Sequence, residues 1–109
     1  MNIHQVRRFA LSLPKVTEAP HHNYGSFRVR GKIFVTVPPD QEHIHVFVEE
    51  QEREVALALE PGCVEKLWGG KVVGLRVALA HAKPMLVKSL IRKAWACKAP
   101  KGLVAPAGG

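Results

Sequence analysis

An α+β fold, with an antiparallel sheet built from hairpins and helices packed on one face, is predicted by three features of the sequence. Apolar residues repeat at three-to-four spacing near both ends of the chain, the mark of helices with one buried stripe. Between them lie short runs rich in β-branched and aromatic residues, broken by Arg30-Gly31, Pro38-Pro39-Asp40 and Gly69-Gly70, which read as turns. These runs follow one another in pairs rather than alternating with helices, which favours hairpins over a parallel sheet.

Asn2 caps a helix whose stripe is Ile3, Val6, Phe9, Ala10 and Leu13, and Pro14 ends it. Residues 15–23, with Pro20, His21, His22 and Asn23, read as a loop. Strands are expected at 26–29, 32–37 and 43–48. A helix over 49–59 would turn Val55, Ala56, Leu59 and Gln51 inward and Glu52, Arg53 and Glu54 outward. A second hairpin, 64–68 and 71–77, surrounds Gly69-Gly70. The longest helix starts near Pro84 and repeats Val87, Leu90, Ile91, Ala94 and Trp95. The expected order is α-β-β-β-α-β-β-α, with one domain over 1–103 and a flexible tail at 104–109.

The 109 residues allow one core. No apolar run approaches the roughly 20 residues of a membrane span, and the start shows no signal core, so a cytoplasmic, non-membrane protein is expected, with a monomer favoured. Cys63 and Cys97 stand outside any paired motif and are expected as buried or semi-buried apolar residues. The net charge is +7, and it is segregated: six of nine acids fall within 40–54, whereas nine Lys/Arg and no acid follow from Lys66 onward. Such a field attracts polyanions.

The sequences Leu11-Ser12-Leu13-Pro14-Lys15-Val16-Thr17-Glu18, Phe27-Arg28-Val29-Arg30-Gly31-Lys32-Ile33-Phe34, Trp68-Gly69-Gly70-Lys71 and Gly74-Leu75-Arg76-Val77 look like those of the MmcQ/YjbR family of small bacterial proteins. Ala94-Trp95 and Ala99-Pro100-Lys101 fit as well, so the resemblance runs from about Val6 to Leu103. It implies a frataxin-like, "double wing" fold and a DNA-binding role, and it implies no catalytic residue. Frataxins share this outline but carry iron on an early acidic ridge; residues 1–17 here contain no Asp or Glu, which removes the oxygen ligands such iron needs.

The expected activity is therefore non-enzymatic DNA binding of weak sequence specificity. Arg28, Arg30, Lys32, Lys71 and Arg76 on two hairpin wings, helped by Lys88, Arg92 and Lys93, would contact phosphates. No cofactor and no metal are expected. His43 and His45 share one side of a strand, but a metal needs about four ligands in fixed geometry. Gly69-Gly70-Lys71 precedes a strand, not the helix that a phosphate loop requires. With a two-residue turn at Arg30-Gly31, Phe34 falls opposite Phe27; a longer turn exchanges the faces and leaves the exposure of Phe34 and Phe47 open. The alternative activity is a small-ligand or protein-interaction patch formed by His21, His22, Tyr24 and Trp68.

Overall fold

Asn2 begins the first helix, α1 (Ile3–Ser12): its side chain accepts from the Gln5 N–H and the Gln5 side chain accepts from the Asn2 N–H, a reciprocal cap that satisfies two otherwise free donors. Val6 and Ala10 are its fully buried residues. The computed structural model describes residues 1–104, Val104 by its backbone only; the tail expected at 104–109 otherwise lies outside the described residues.

The segment expected as a loop is a strand. β1 (Val16–His21) pairs antiparallel with β2 (Tyr24–Val29) from Val16↔Val29 to His21↔Tyr24, so the order is α-β-β-β-β-α-β-β-α rather than the predicted one. β1 lies at the edge of the sheet, where Pro20 costs no ladder bond on the open side, and the same proline discourages edge-to-edge pairing. Its burial does not alternate, so the period-two signal of a half-buried strand is missing.

The remaining elements are β3 (Lys32–Val37), β4 (His43–Val46), α2 (Glu50–Leu59), β5 (Val64–Trp68), β6 (Val72–Ala78), α3 (Pro84–Lys98) and a single-turn α4 (Lys101–Val104). The sheet order is β1-β2-β3-β4-β6-β5, all pairs antiparallel. Glu52 of α2 pairs with Lys93 of α3 at 2.6 Å, and Lys88 and Arg92 of α3 lie over the Phe9 ring of α1. The three long helices therefore cover the same face, as the sequence predicts, and leave the other face uncovered by helices. Among the described residues no helix is long and apolar enough to cross a membrane.

The core lies between sheet and helices. Val87, Leu90, Ile91, Ala94 and Trp95 are the buried residues of α3, the same five that the periodicity selects. Trp95 also donates its indole N–H to the Pro14 carbonyl at 3.0 Å, fixing the end of α1 against α3. The expected inward face of α2 is wrong: Ala56 is buried, but Val55 is 47% exposed and Leu59 69%. The helix sits on the core through Ala56 and Leu57, and residues read as outward lie on that same side: Glu52 pairs with Lys93, and the Arg53 guanidinium donates to the Val48 carbonyl at 2.7 Å. Cys63 is buried as expected, whereas Cys97 is exposed; both are free.

The β2–β3 turn has two residues, with Arg30 at φ 51° and Gly31 at φ 80°, a type I′ hairpin matched to strand twist. A register shift between Phe27 and Arg28 then pairs Phe27 with Val35 and Arg28 with Ile33, leaving Phe34 as the extra residue of a bulge. Phe27 and Phe34 are both buried and Phe47 is half-buried.

Candidate nucleic-acid interface

Because every strand pair is antiparallel, the pairing fixes which end of the sheet each turn occupies. β2 runs toward the Arg30-Gly31 turn, β4 runs alongside it, and β5 runs alongside β4 with only β6 between them. The Arg30-Gly31 and Gly69-Gly70 tips consequently project from the same end. They are separated by three strand spacings, about 14 Å, close to the roughly 12 Å width of a DNA major groove. The second tip is closed by the Gly69 N–H donating to the Lys71 carbonyl at 2.7 Å, with Gly70 at φ 80°.

Arg30, Lys32, Lys66 and Lys71 are exposed at or beside these tips, and among the described residues none makes an ion pair with a carboxylate. Arg30, a turn residue of the first wing and exposed, is in a left-handed conformation that residues other than Gly, Asn and Asp seldom adopt. Arg28 lies flatter on the sheet, donating to Ser26 Oγ at 3.1 Å and to the Pro20 carbonyl at 3.2 Å. Glu49 and Glu50, where α2 starts, share a groove of about 510 Å³ with Lys71 and Lys98. Carboxylates and cations therefore meet at this end, although they are segregated along the chain, because the crossover from β4 into α2 begins at the tip end of the sheet.

The eight cations expected to act together occupy three places. Arg28, Arg30, Lys32 and Lys71 belong to the wings. Arg76 sits mid-sheet, 3.6 Å from Asp40 and 3.4 Å from Glu65, and so is already neutralised. Lys88, Arg92 and Lys93 lie on the helical layer behind the sheet, the first two over Phe9 and the third on Glu52. The alternative patch is also divided. His21 and His22, with ring centroids 4.7 Å apart, adjoin Tyr24 at one corner. Trp68, 68% exposed, stands at the other end of the opposite edge strand, five strand spacings or about 24 Å across.

The sheet face without helices carries a polar row that sequence reading missed, since it depends on register. Ser26, Thr36, His45, Arg76 and Glu65 are successive cross-strand partners from β2 to β5, and the first three are buried. Arg76 can only donate, so His45 Nε2 accepts from it at 3.1 Å, and His45 Nδ1 carries the hydrogen toward Thr36 Oγ1 at 3.3 Å. Tyr24 approaches His45 at 5.9 Å between ring centroids, and Asp40 bonds His43 Nδ1 at 2.9 Å. No group of three or more metal-ligating side chains occurs among the described residues.

Burial first, then the charges of Arg76 and His43, hold the His45 pKa below its ordinary 6.5. The unfolded chain therefore takes up this proton first, and the stabilisation from the neutral ring is complete above about 6.5 and lost as pH falls through the folded value. The thermal midpoint should drop between pH 7.5 and 5, and the drop should be smaller in His45→Gln; equal slopes in both proteins would remove His45 as the cause. Asp40 is held low chiefly by the Glu42 N–H, so its protonation destabilises the fold only below about 3.8, outside that window.

Residues 11–97 match the family model described as YjbR. The crystal structure of the Deinococcus radiodurans protein DR2400, assigned to the domain family DUF419, superposes with a TM-score of 0.73 at 16% identity, covering 86% of this chain and 75% of that one. At that identity the likeness shows the fold alone. No curated protein matches the chain significantly.

Proposed function

The chain belongs to the YjbR family, and we propose that it binds DNA without catalysing a reaction on it, gripping the phosphate backbone with two cationic hairpin wings. The observation that carries this reading is the placement of both tips at one end of the sheet, with Arg30, Lys32 and Lys71 exposed and unpaired among the described residues. Phosphate contacts fix position without reading sequence, and neither wing offers a recognition helix for base edges. Binding is accordingly weak in sequence preference. Arg76 and the α3 cations, included in the sequence reading, take no part: the first is spent on carboxylates, and the others lie on the helical layer, over Phe9 or paired with Glu52.

The experiment is a footprint by amide chemical shift, titrating a short duplex into the labelled protein at low salt. The expected result is simultaneous perturbation of Arg30, Gly31 and Lys32 and of Gly69, Gly70 and Lys71. No perturbation, or changes confined to α1 and α3, would reject the reading.

A further inference from the structure

The two tryptophans have opposite surroundings. Trp95 is 6% exposed and bonds its indole N–H to the Pro14 carbonyl, so it serves the core. Trp68 is 68% exposed, although tryptophan is among the side chains with most to gain from burial. Among the described residues its ring meets no other aromatic ring and no cation held over its face.

Trp68 is the last residue of β5, and the Gly69-Gly70 tip follows it directly. Leu67 pairs with Gly74 and Trp68 with Val72, so Val73 is the extra residue of a bulge, a device that bends a strand and re-aims a side chain beside it. The Gly69 N–H donating to the Lys71 carbonyl at 2.7 Å closes the turn next to the ring. Leu67 and Val72 are half-buried, so the indole stands out singly rather than within an apolar patch. Its exposed cationic neighbours in the wing are Lys66 and Lys71, neither of which has a carboxylate partner among the described residues. Glu65, the nearest acid in the strand, is 3.4 Å from Arg76.

We infer that Trp68 stacks on an unpaired base, so that the preferred ligand of the wings is DNA whose duplex is interrupted, at a gap, a bulge or a junction with a single strand. The inference rests on the wing reading, because phosphates held by Lys66 and Lys71, and by Arg30 and Lys32 about 14 Å away, bring a base to the indole. In a continuous duplex the base faces are hidden in the stack and only their edges line the grooves, which leaves the ring nothing to stack on. Where pairing is broken a face is free, and stacking accepts any base because every base has a π-face. Selectivity is therefore for the state of the duplex rather than for its sequence. The lysines on either side favour a polyanion, and a single ring between them lacks the rim of apolar contacts that shields a protein–protein hot spot from water.

The test compares two duplexes of one sequence, one of them with a run of unpaired thymines inserted in mid-strand, so that their ends are identical. Titrated into the whole chain, the interrupted duplex is expected to bind about tenfold or more tightly and to quench tryptophan emission, which Trp68 reports because Trp95 is buried. Trp68→Ala should bring the two affinities together and remove the quenching, and Trp68→Tyr, which keeps a ring, should retain part of the preference. Thermal melts of both variants should stay within a few degrees of the parent, as expected for an exposed site, so that lost preference is not lost fold. Equal affinity of the parent for the two duplexes, with its salt dependence intact, overturns the stacking and leaves the wings standing; binding of neither duplex overturns both. A preference that survives Trp68→Ala, or emission that responds to anionic lipid vesicles and not to DNA, would also overturn it.

Discussion

Gly74→Ala is expected to destabilise the protein by about 3 kcal/mol, the upper part of the usual cost of overpacking a closed site, and to lower the thermal midpoint by roughly 12–20 °C. A Cβ on Gly74 would overlap the carbonyl oxygen of Val46 and press on Phe47 Cα at 3.3 Å. Both are backbone, so neither can swing aside as a side chain could. Here β4 leaves the sheet, with the Phe47 N–H donating to the Phe34 carbonyl at 3.1 Å, and β6 can lie beside it only without a side chain. Any relief must move the β4–α2 crossover, and with it the groove beside the second wing. Gly62→Ala is the control: nothing lies within 4 Å of its added Cβ, so its effect should stay within about 0.5 kcal/mol. Thermal melts of the two variants decide the matter, and a Gly74→Ala midpoint within a few degrees of the parent would contradict the close approach.

Elements with a strong period were legible in advance. α3 declared its whole buried stripe, and β3 its bounds, because Arg30-Gly31 and Pro38-Pro39 bracket it. β1 was hidden by Pro20 and by a burial pattern without alternation, both consequences of lying at an edge. On α2 the apolar residues suggested the wrong inward face: Ala56 and Leu57 meet the core, and Glu52 and Arg53 are bonded on that same side. That orientation leaves Val55 and Leu59 exposed. The wing cations were legible because turn residues mark hairpin tips locally. The separation of Arg76 and the α3 cations from them depends on strand order and on which face the helices cover, and so does the distance between His21 and Trp68. The Ser26–Thr36–His45–Arg76–Glu65 row needed four strand registers at once, one of them shifted by a bulge.

Removing the wing cations should have the largest effect on binding. The substitutions Arg30→Asn, Lys32→Gln and Lys71→Gln together take away three phosphate contacts while Asn keeps the left-handed turn residue tolerable. Each contact adds about 0.9 to the slope of log affinity against log salt, so the triple variant should lose nearly 3 from that slope and on the order of 10²–10³-fold in affinity at about 50 mM salt. Lys88→Gln with Arg92→Gln, on the helical layer, should change duplex affinity by no more than a few-fold. Titrating one duplex into the parent and both variants across a salt series therefore measures directly whether the two tips form the grip. A steep parent slope that collapses only in the triple variant is the predicted result; a parent slope near zero, or a collapse produced by the α3 pair instead, contradicts it.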